Sequence, residues 1–203
     1  LKQMLEVLKP QDKTRIRYQE DGSELDLDIA LRSLIDLKSG VTPDPRIAQS
    51  HRTDGRNIHL LVLLDLSESL KALVPGSTQT VLELSQEAVS LLGWAVDCLG
   101  DPFAIAGFHS NTRHEVRYQH FKGFGEAWDE TIKARLAAMA PAWSTRMGAA
   151  LRHGGGQLAA RRADKRILLL LTDGEPSDID VADPAHLRGD ARKTVEELAG
   201  QGV

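Results

Sequence analysis

Asp65-Leu66-Ser67-Glu68-Ser69 sets one carboxylate and two hydroxyls at alternate positions. In an extended segment alternate side chains project to the same side, so Asp65, Ser67 and Ser69 can converge on one point. Two further polar groups could join them: Thr145, within Trp143-Ser144-Thr145-Arg146, and Asp173, within Asp173-Gly174. Hydroxyl, carboxylate and water oxygens are hard donors, which suit Mg²⁺ or Mn²⁺ rather than zinc or copper. If neutral hydroxyls bind such a cation directly and the two aspartates are partly held back behind water, its charge stays under-neutralised. It then takes up another anion, such as an Asp or Glu carboxylate of a partner protein. The plainer alternative is that Asp65 and Asp173 cap loops while Ser67 and Ser69 satisfy backbone groups.

Such a cluster needs loops that meet at one rim. Residues 60–64 and 167–171 are unbroken apolar runs, as central strands of a parallel sheet covered on both faces should be. Thr80 followed by Glu83 forms a capping box, and Leu84, Ala88, Leu92, Ala95 and Leu99 continue as one helical stripe. Residues 103–108 read as another strand, and the more polar 115–120 as an edge strand paired to it through a turn at Asn111. Helices are predicted over 126–139, 145–162 and 190–198. Strands separated by helices imply right-handed crossovers and an α/β, Rossmann-like, doubly wound three-layer sandwich, mostly parallel with one antiparallel edge strand. Ligands bind such sheets at the carboxyl ends of the strands, where all three polar groups fall. The sequence stops at Val203 where a further strand is expected, so one or more C-terminal strands are expected to be missing.

Residues 1–57 have a different texture. A helix-like start ends at Pro10, 14–18 could form a strand, and Asp21-Gly22 is a hairpin-type turn before the alternating Leu25, Leu27 and Ile29. Residues 30–37 look helical, after which Ser39-Gly40, Pro43 and Pro45 predict an extended connection to Asn57, turning at Asp54-Gly55. This predicts an N-terminal appendage (1–57), hairpin plus helix, packed on a main domain (58–203). Leu25, Leu27, Ile29, Leu34 and Leu37 are too apolar for a solvated tether.

DLSES at 65–69, Thr145 and TDGEP at 172–176 together resemble the metal-ion-dependent adhesion site of von Willebrand factor A (VWA) domains. The resemblance implies that Ser67, Ser69 and Thr145 bind the metal directly and that Asp65 and Asp173 act directly or through water. Glu68 stands where many VWA domains have Gly, and Trp143-Ser144 where many have Gly-Gly. DLSESL, FAIAGFHSNTRHEV, STRMGAALRH and LLLLTDGEPSDID look like the CbbO and NorD group, as do GSELDLDIALRSLIDLKSG and TPDPRI in the appendage. That resemblance implies a non-catalytic adaptor working with a hexameric MoxR-type AAA+ ATPase to remodel a client enzyme. VADPAHLRGD after Asp180 departs from the NorD pattern, which favours a CbbO-type rubisco activase subunit; activation of nitric oxide reductase, NorD-type, is the alternative. Gly154-Gly155-Gly156 is expected to interrupt its helix, each glycine costing about 1 kcal/mol relative to alanine.

Other readings are weaker. At 203 residues the chain can bury one sizeable core plus an appendage. Its net charge of −4 gives no footprint for nucleic acid or an anionic membrane, and its apolar runs are too short to span a bilayer. LKQMLEVLKP lacks signal-peptide architecture and Cys98 is the sole cysteine, so a cytoplasmic location is expected, with Cys98 a buried small hydrophobe. No GxxxxGK[ST] loop is present, so ATP must be bound elsewhere. A metal-dependent hydrolase using Ser67 or Ser69 would want a G-x-S-x-G elbow and a histidine base. A phosphotransferase using Asp65 would want a carboxylate at Ser67. His109, His114 and His120 match no zinc spacing. Glu175, Asp178 and Asp180 read as a solvated acidic rim, Trp128 and Trp143 as packing residues, and Arg161, Arg162, Lys165 and Arg166 as a helix C-terminus.

Overall fold

The computed structural model describes residues 13–21, 24–53 and 57–203, which form two compact units parting between 56 and 57. The predicted helical start before Pro10, Gly22 of the first turn and the Asp54-Gly55 turn lie outside the described residues.

The smaller unit contains β1 (Lys13–Gln19), β2 (Glu24–Leu25), α1 (Leu27–Lys38) and β3 (Ala48–Thr53). Its antiparallel sheet has the order β1-β3-β2. Two predictions need correcting. The turn at Asp21 does not close a hairpin, because β3, drawn from the supposed extended connection, lies between its neighbours. The alternation through Leu25, Leu27 and Ile29 stops after Leu25, because Asp26 turns the chain into α1. Asp26 is fully buried, with its carboxylate on the Arg17 guanidinium. Its amide donates to the Ile47 carbonyl at 2.9 Å, and its own carbonyl accepts the Ala30 amide at 2.8 Å, the first turn of the helix. Within this unit α1 buries Ile29 and exposes Leu27, Leu31 and Leu34.

The larger unit runs β4 (Ile58–Asp65), a 3₁₀ turn (Glu68–Lys71), α2 (Val81–Leu99), β5 (Phe103–Ser110), β6 (Val116–Lys122), α3 (Glu130–Ala137), α4 (Met147–Ala159), β7 (Lys165–Leu171) and α5 (Pro184–Gly200). Its four strands are ordered β6-β5-β4-β7; β4 is parallel to β5 and β7, and β6 is the antiparallel edge. The pleat of β4 sorts its apolar run between two cores. Val62 and Leu64 join Val89, Val96, Ile132 and Leu136 under α2 and α3. Leu61 and Leu63 join Ala150, Leu151, Leu158 and Leu198 under α4 and α5. This is the expected three-layer α/β sandwich, and no described helix is long and apolar enough to cross a membrane.

Helix boundaries show which local signals won. The Thr80–Glu83 capping box opens α2, and Gly100, at φ 80°, closes it. α3 starts four positions later than predicted, since Asp129 caps it through the Ile132 amide at 3.1 Å while Glu126 is engaged with the Gly123 amide at 2.6 Å. α4 cannot begin at Thr145, whose amide and carbonyl both pair with Ser177. α5 starts earlier than predicted, at Pro184, where Asp183 caps the Ala185 amide at 2.9 Å. The glycine triplet does not interrupt α4. A Cβ on Gly154 would sit 2.8 Å from Leu61 Cδ2, and one on Gly155 would overlap Leu198, so both glycines let the helix lie close against its neighbours. Cys98 is half-buried rather than buried.

Candidate metal centre

The rim where β4, β5 and β7 end is stitched together before any side chain is considered. Beyond β4, the Leu66 amide donates to the Phe108 carbonyl at 2.8 Å, extending the pairing of β4 and β5 into the loop. Glu68 N bonds Trp143 O at 2.9 Å and Ala142 N bonds Leu66 O at 2.8 Å, which ties the serine loop to the threonine loop. Thr145 and Ser177 exchange reciprocal backbone bonds of 2.8 and 3.1 Å, tying the threonine loop to the segment after Asp173.

On this frame Asp65, Ser67, Ser69, Thr145 and Asp173 form one continuous hydrogen-bonded cluster. The Ser67 amide donates to Asp65 Oδ1 at 3.0 Å. The Ser67 and Ser69 hydroxyls are 2.8 Å apart, and Ser69 Oγ donates to Asp173 Oδ1 at 3.0 Å. Thr145 Oγ1 lies 2.9 and 3.0 Å from the two oxygens of Asp65. A residue that sequence reading passed over, Thr172, donates its hydroxyl to Asp65 Oδ2 at 2.9 Å. Its place directly before Asp173, just past the end of β7, was the available signal.

Asp65 is 3 % exposed, and Ser67 and Thr145 are buried beside it. Burial raises the Asp65 carboxyl above its ordinary range, and the hydroxyls of Thr145, Thr172 and Ser67 pull it back. Among the described residues, hydroxyls and an amide rather than any cation face this carboxylate. No three His, Cys, Asp or Glu side chains gather as a metal site among those residues, so a cation held here would rest on hydroxyls as well as the two carboxylates. The all-oxygen donor set fits a hard divalent ion. Ser67, Ser69, Thr145 and Asp173 open onto a depression of about 350 Å³ that Glu68 and Trp143 also line.

Trp143 occupies the left-handed region at φ 60°. That conformation costs a non-glycine residue roughly 1–2 kcal/mol. The indole gains contacts that offset the strain: the His109 ring stands edge-on at 4.9 Å, and the Arg117 guanidinium lies 4.2 Å from the ring centroid. Burial, and then the charge of Arg117, lower the pKa of His109. His120 lies elsewhere on the sheet, against Tyr118. Trp128 packs against Phe103.

The expected acidic rim divides. Glu175 is exposed and meets Arg188 at 3.2 Å. Asp178 is buried and Asp180 only partly exposed, and both are ion-paired, which corrects the prediction. Asp178 Oδ2 accepts from Arg146 Nε at 2.9 Å and Ser110 Oγ at 3.1 Å, and Asp180 Oδ1 accepts from Arg146 Nη2 at 2.5 Å. Arg146, directly after the threonine, went unremarked in the sequence because its partners lie more than thirty positions away.

Comparison with known proteins adds to this geometry. The family model for the von Willebrand factor type A domain matches residues 59–203. Protein NorD of Brucella abortus is 35% identical over 203 residues, all of this chain and 32% of that protein. Protein NorD of Stutzerimonas stutzeri is 32% identical over 192 residues, 95% of this chain and 31% of its own. The chain thus spans about a third of the length of these relatives. Among solved structures, the PilB minor pilin from Streptococcus sanguinis has a TM-score of 0.47 at 21% identity, covering 64% of this chain and 34% of that one.

Proposed function

This chain belongs to the von Willebrand factor type A family, and we propose that it is a non-catalytic adaptor that holds an acidic group of a client protein through Mg²⁺ or Mn²⁺. Ser67, Ser69 and Thr145 would hold the ion with Asp65 and Asp173. When bound, the ion supplies an under-neutralised positive point to which a carboxylate can attach. The observation that carries this reading is the buried Asp65 carboxylate, ringed by hydroxyls, beside an open depression that its neighbours Ser67, Ser69, Thr145 and Asp173 line. The Ser67 and Ser69 hydroxyls engage each other and Asp173, with no histidine bonded to them among the described residues, which favours a binding role over a serine–histidine nucleophile.

Of the two clients considered, the relatives named NorD favour the NorD-type reading, activation of nitric oxide reductase, over CbbO-type activation of rubisco. The departure after Asp180 that pointed to rubisco, residues 181–190, covers the connection into α5 and its first turns, and none of it lines the depression beside the metal donors. In this reading a MoxR-type AAA+ ATPase supplies the force. The test is made in the full-length protein. Asp65→Ala or Thr145→Ala should abolish client activation while co-purification with the ATPase persists, because a single charge-assisted contact to the client is lost, worth about 2–5 kcal/mol. Loss of both together in a folded variant would assign the site to assembly and overturn the reading.

A further inference from the structure

The metal-site donors are unequally held. Asp65, Ser67 and Thr145 are buried, whereas Asp173 is exposed and its side chain is restrained by the 3.0 Å contact with Ser69. A cation needs all of them in register, so the loop that carries Asp173 must be fixed from elsewhere. Arg146 is built for that. It is the residue after Thr145, 16% exposed, and its guanidinium spans two carboxylates on the Asp173 loop, of which Asp178 is fully buried. Both carboxylates are anchored again from behind. Asp178 accepts the Ser110 hydroxyl at the end of β5 and the Ile179 amide at 2.8 Å. Asp180 Oδ2 accepts the amide and Nε of Arg113, each at 3.0 Å, from the turn before β6. The fork therefore clamps the Asp173 loop against the threonine loop, alongside the backbone exchange between Thr145 and Ser177.

We infer that Arg146 is a positioning residue of the metal centre: by holding Asp178 and Asp180 it sets the distance between Asp173 and the hydroxyl donors, and so the affinity for the cation. This inference rests on the metal-binding reading proposed above. Arg146 reaches the metal donors only through the loop it holds. A guanidinium suits the task because its planar fork fixes direction as well as charge, which a lysine ammonium does not.

The test uses Mn²⁺ as the probe with Arg146→Ala and Arg146→Lys, and follows amide exchange of Thr145 and Ser177. Losing a partner that orients metal ligands weakens metal binding by about tenfold or more. Arg146→Ala should do so while strand amides in β4 and β5 keep their protection and the Thr145 and Ser177 amides exchange faster. Arg146→Lys should recover part of the affinity, because charge without the fork restores only part of the clamp. Unchanged Mn²⁺ affinity in folded Arg146→Ala overturns the inference. If that variant does not fold, wild-type affinity in Arg146→Lys overturns it instead. A wild-type chain that binds no Mn²⁺ sinks the metal reading itself, and the inference with it. Wild-type binding that survives in both arginine variants sinks the inference alone.

Discussion

Two polar clusters lie beside each other at the rim of the sheet, and they are built in opposite ways. Around Asp65 and Asp173 the contacts are hydroxyls and an amide, with charge left unbalanced in a partly buried setting. Around Arg146 the charges balance, two arginines against two aspartates, and every oxygen of Asp178 and Asp180 has a donor. Desolvating a charge is tolerable only when it is paired or can acquire a partner. The second cluster is complete as it stands and serves to hold. On the reading proposed above, the first is completed by a cation, and serves to receive. Charge balance, rather than the number of acidic residues, separates the two.

The contrast can be broken most readily at the holding cluster. Asp178→Ala leaves Arg146 without its most buried partner, and removing one side of a buried pair costs about 3–5 kcal/mol. Urea unfolding should register that loss; a change below about 1 kcal/mol would mean the cluster holds little. At the receiving cluster the expectation reverses. Ser67→Ala with Ser69→Ala should cost about 1 kcal/mol per hydroxyl or less, the net worth of a neutral hydrogen bond, when unfolded in EDTA. Yet Mg²⁺, which should raise the wild-type melting temperature, should leave this variant unmoved.

A smaller effect concerns pH. The Arg113 amide, followed by the Arg113 and Arg146 side chains, holds Asp180 below its ordinary 3.8. A carboxyl with a depressed folded pKa stabilises the fold above its unfolded value, and that contribution disappears as pH falls through the folded value. The melting-temperature gap between wild type and Asp180→Asn should therefore be full well above pH 3.8 and narrow as pH falls below it. A gap that is flat across this range would show that the Asp180 charge contributes nothing. The smallest effect tests the glycine triplet where α4 approaches Leu61 of β4 and Leu198 of α5. Gly156→Ala meets nothing within 4 Å and should gain about 0.5–1 kcal/mol of helix stability. Gly155→Ala would press on Leu198 and should lose stability instead.

What could be read from the sequence follows the range of the interactions. The apolar run of β4, the capping box at Thr80 and the polar edge strand β6 carry their signals within a few residues, so the sandwich and its rim were legible. The run of β7 marked a strand but misplaced it: β7 is the other edge of the four-stranded sheet and is partly exposed, not a central strand covered on both faces. That Asp65, Ser67, Ser69, Thr145 and Asp173 would meet was legible too, because each falls within a few residues of a strand end or a helix start. The fork of Arg146 was not, since an arginine and two aspartates over thirty positions apart look like solvated charges until the fold joins them. The smaller unit misled for the same reason. Leu25, Leu27 and Ile29 alternate like a strand, but the buried Asp26 with Arg17 and Ile47 starts a helix there. The triplet Gly154-Gly155-Gly156 looked like a break because its value lies in what approaches it, Leu61 and Leu198.

The central claim is that hydroxyls gathered around Asp65 bind a divalent cation, and a Mn²⁺ titration tests it most directly, comparing the wild type with Ser67→Ala, Ser69→Ala. The wild type should bind one ion with a Kd between about micromolar and millimolar, as befits a site with few charged ligands. The double variant should show no saturable binding at the same concentrations while remaining folded. Identical binding curves for the two would contradict the account.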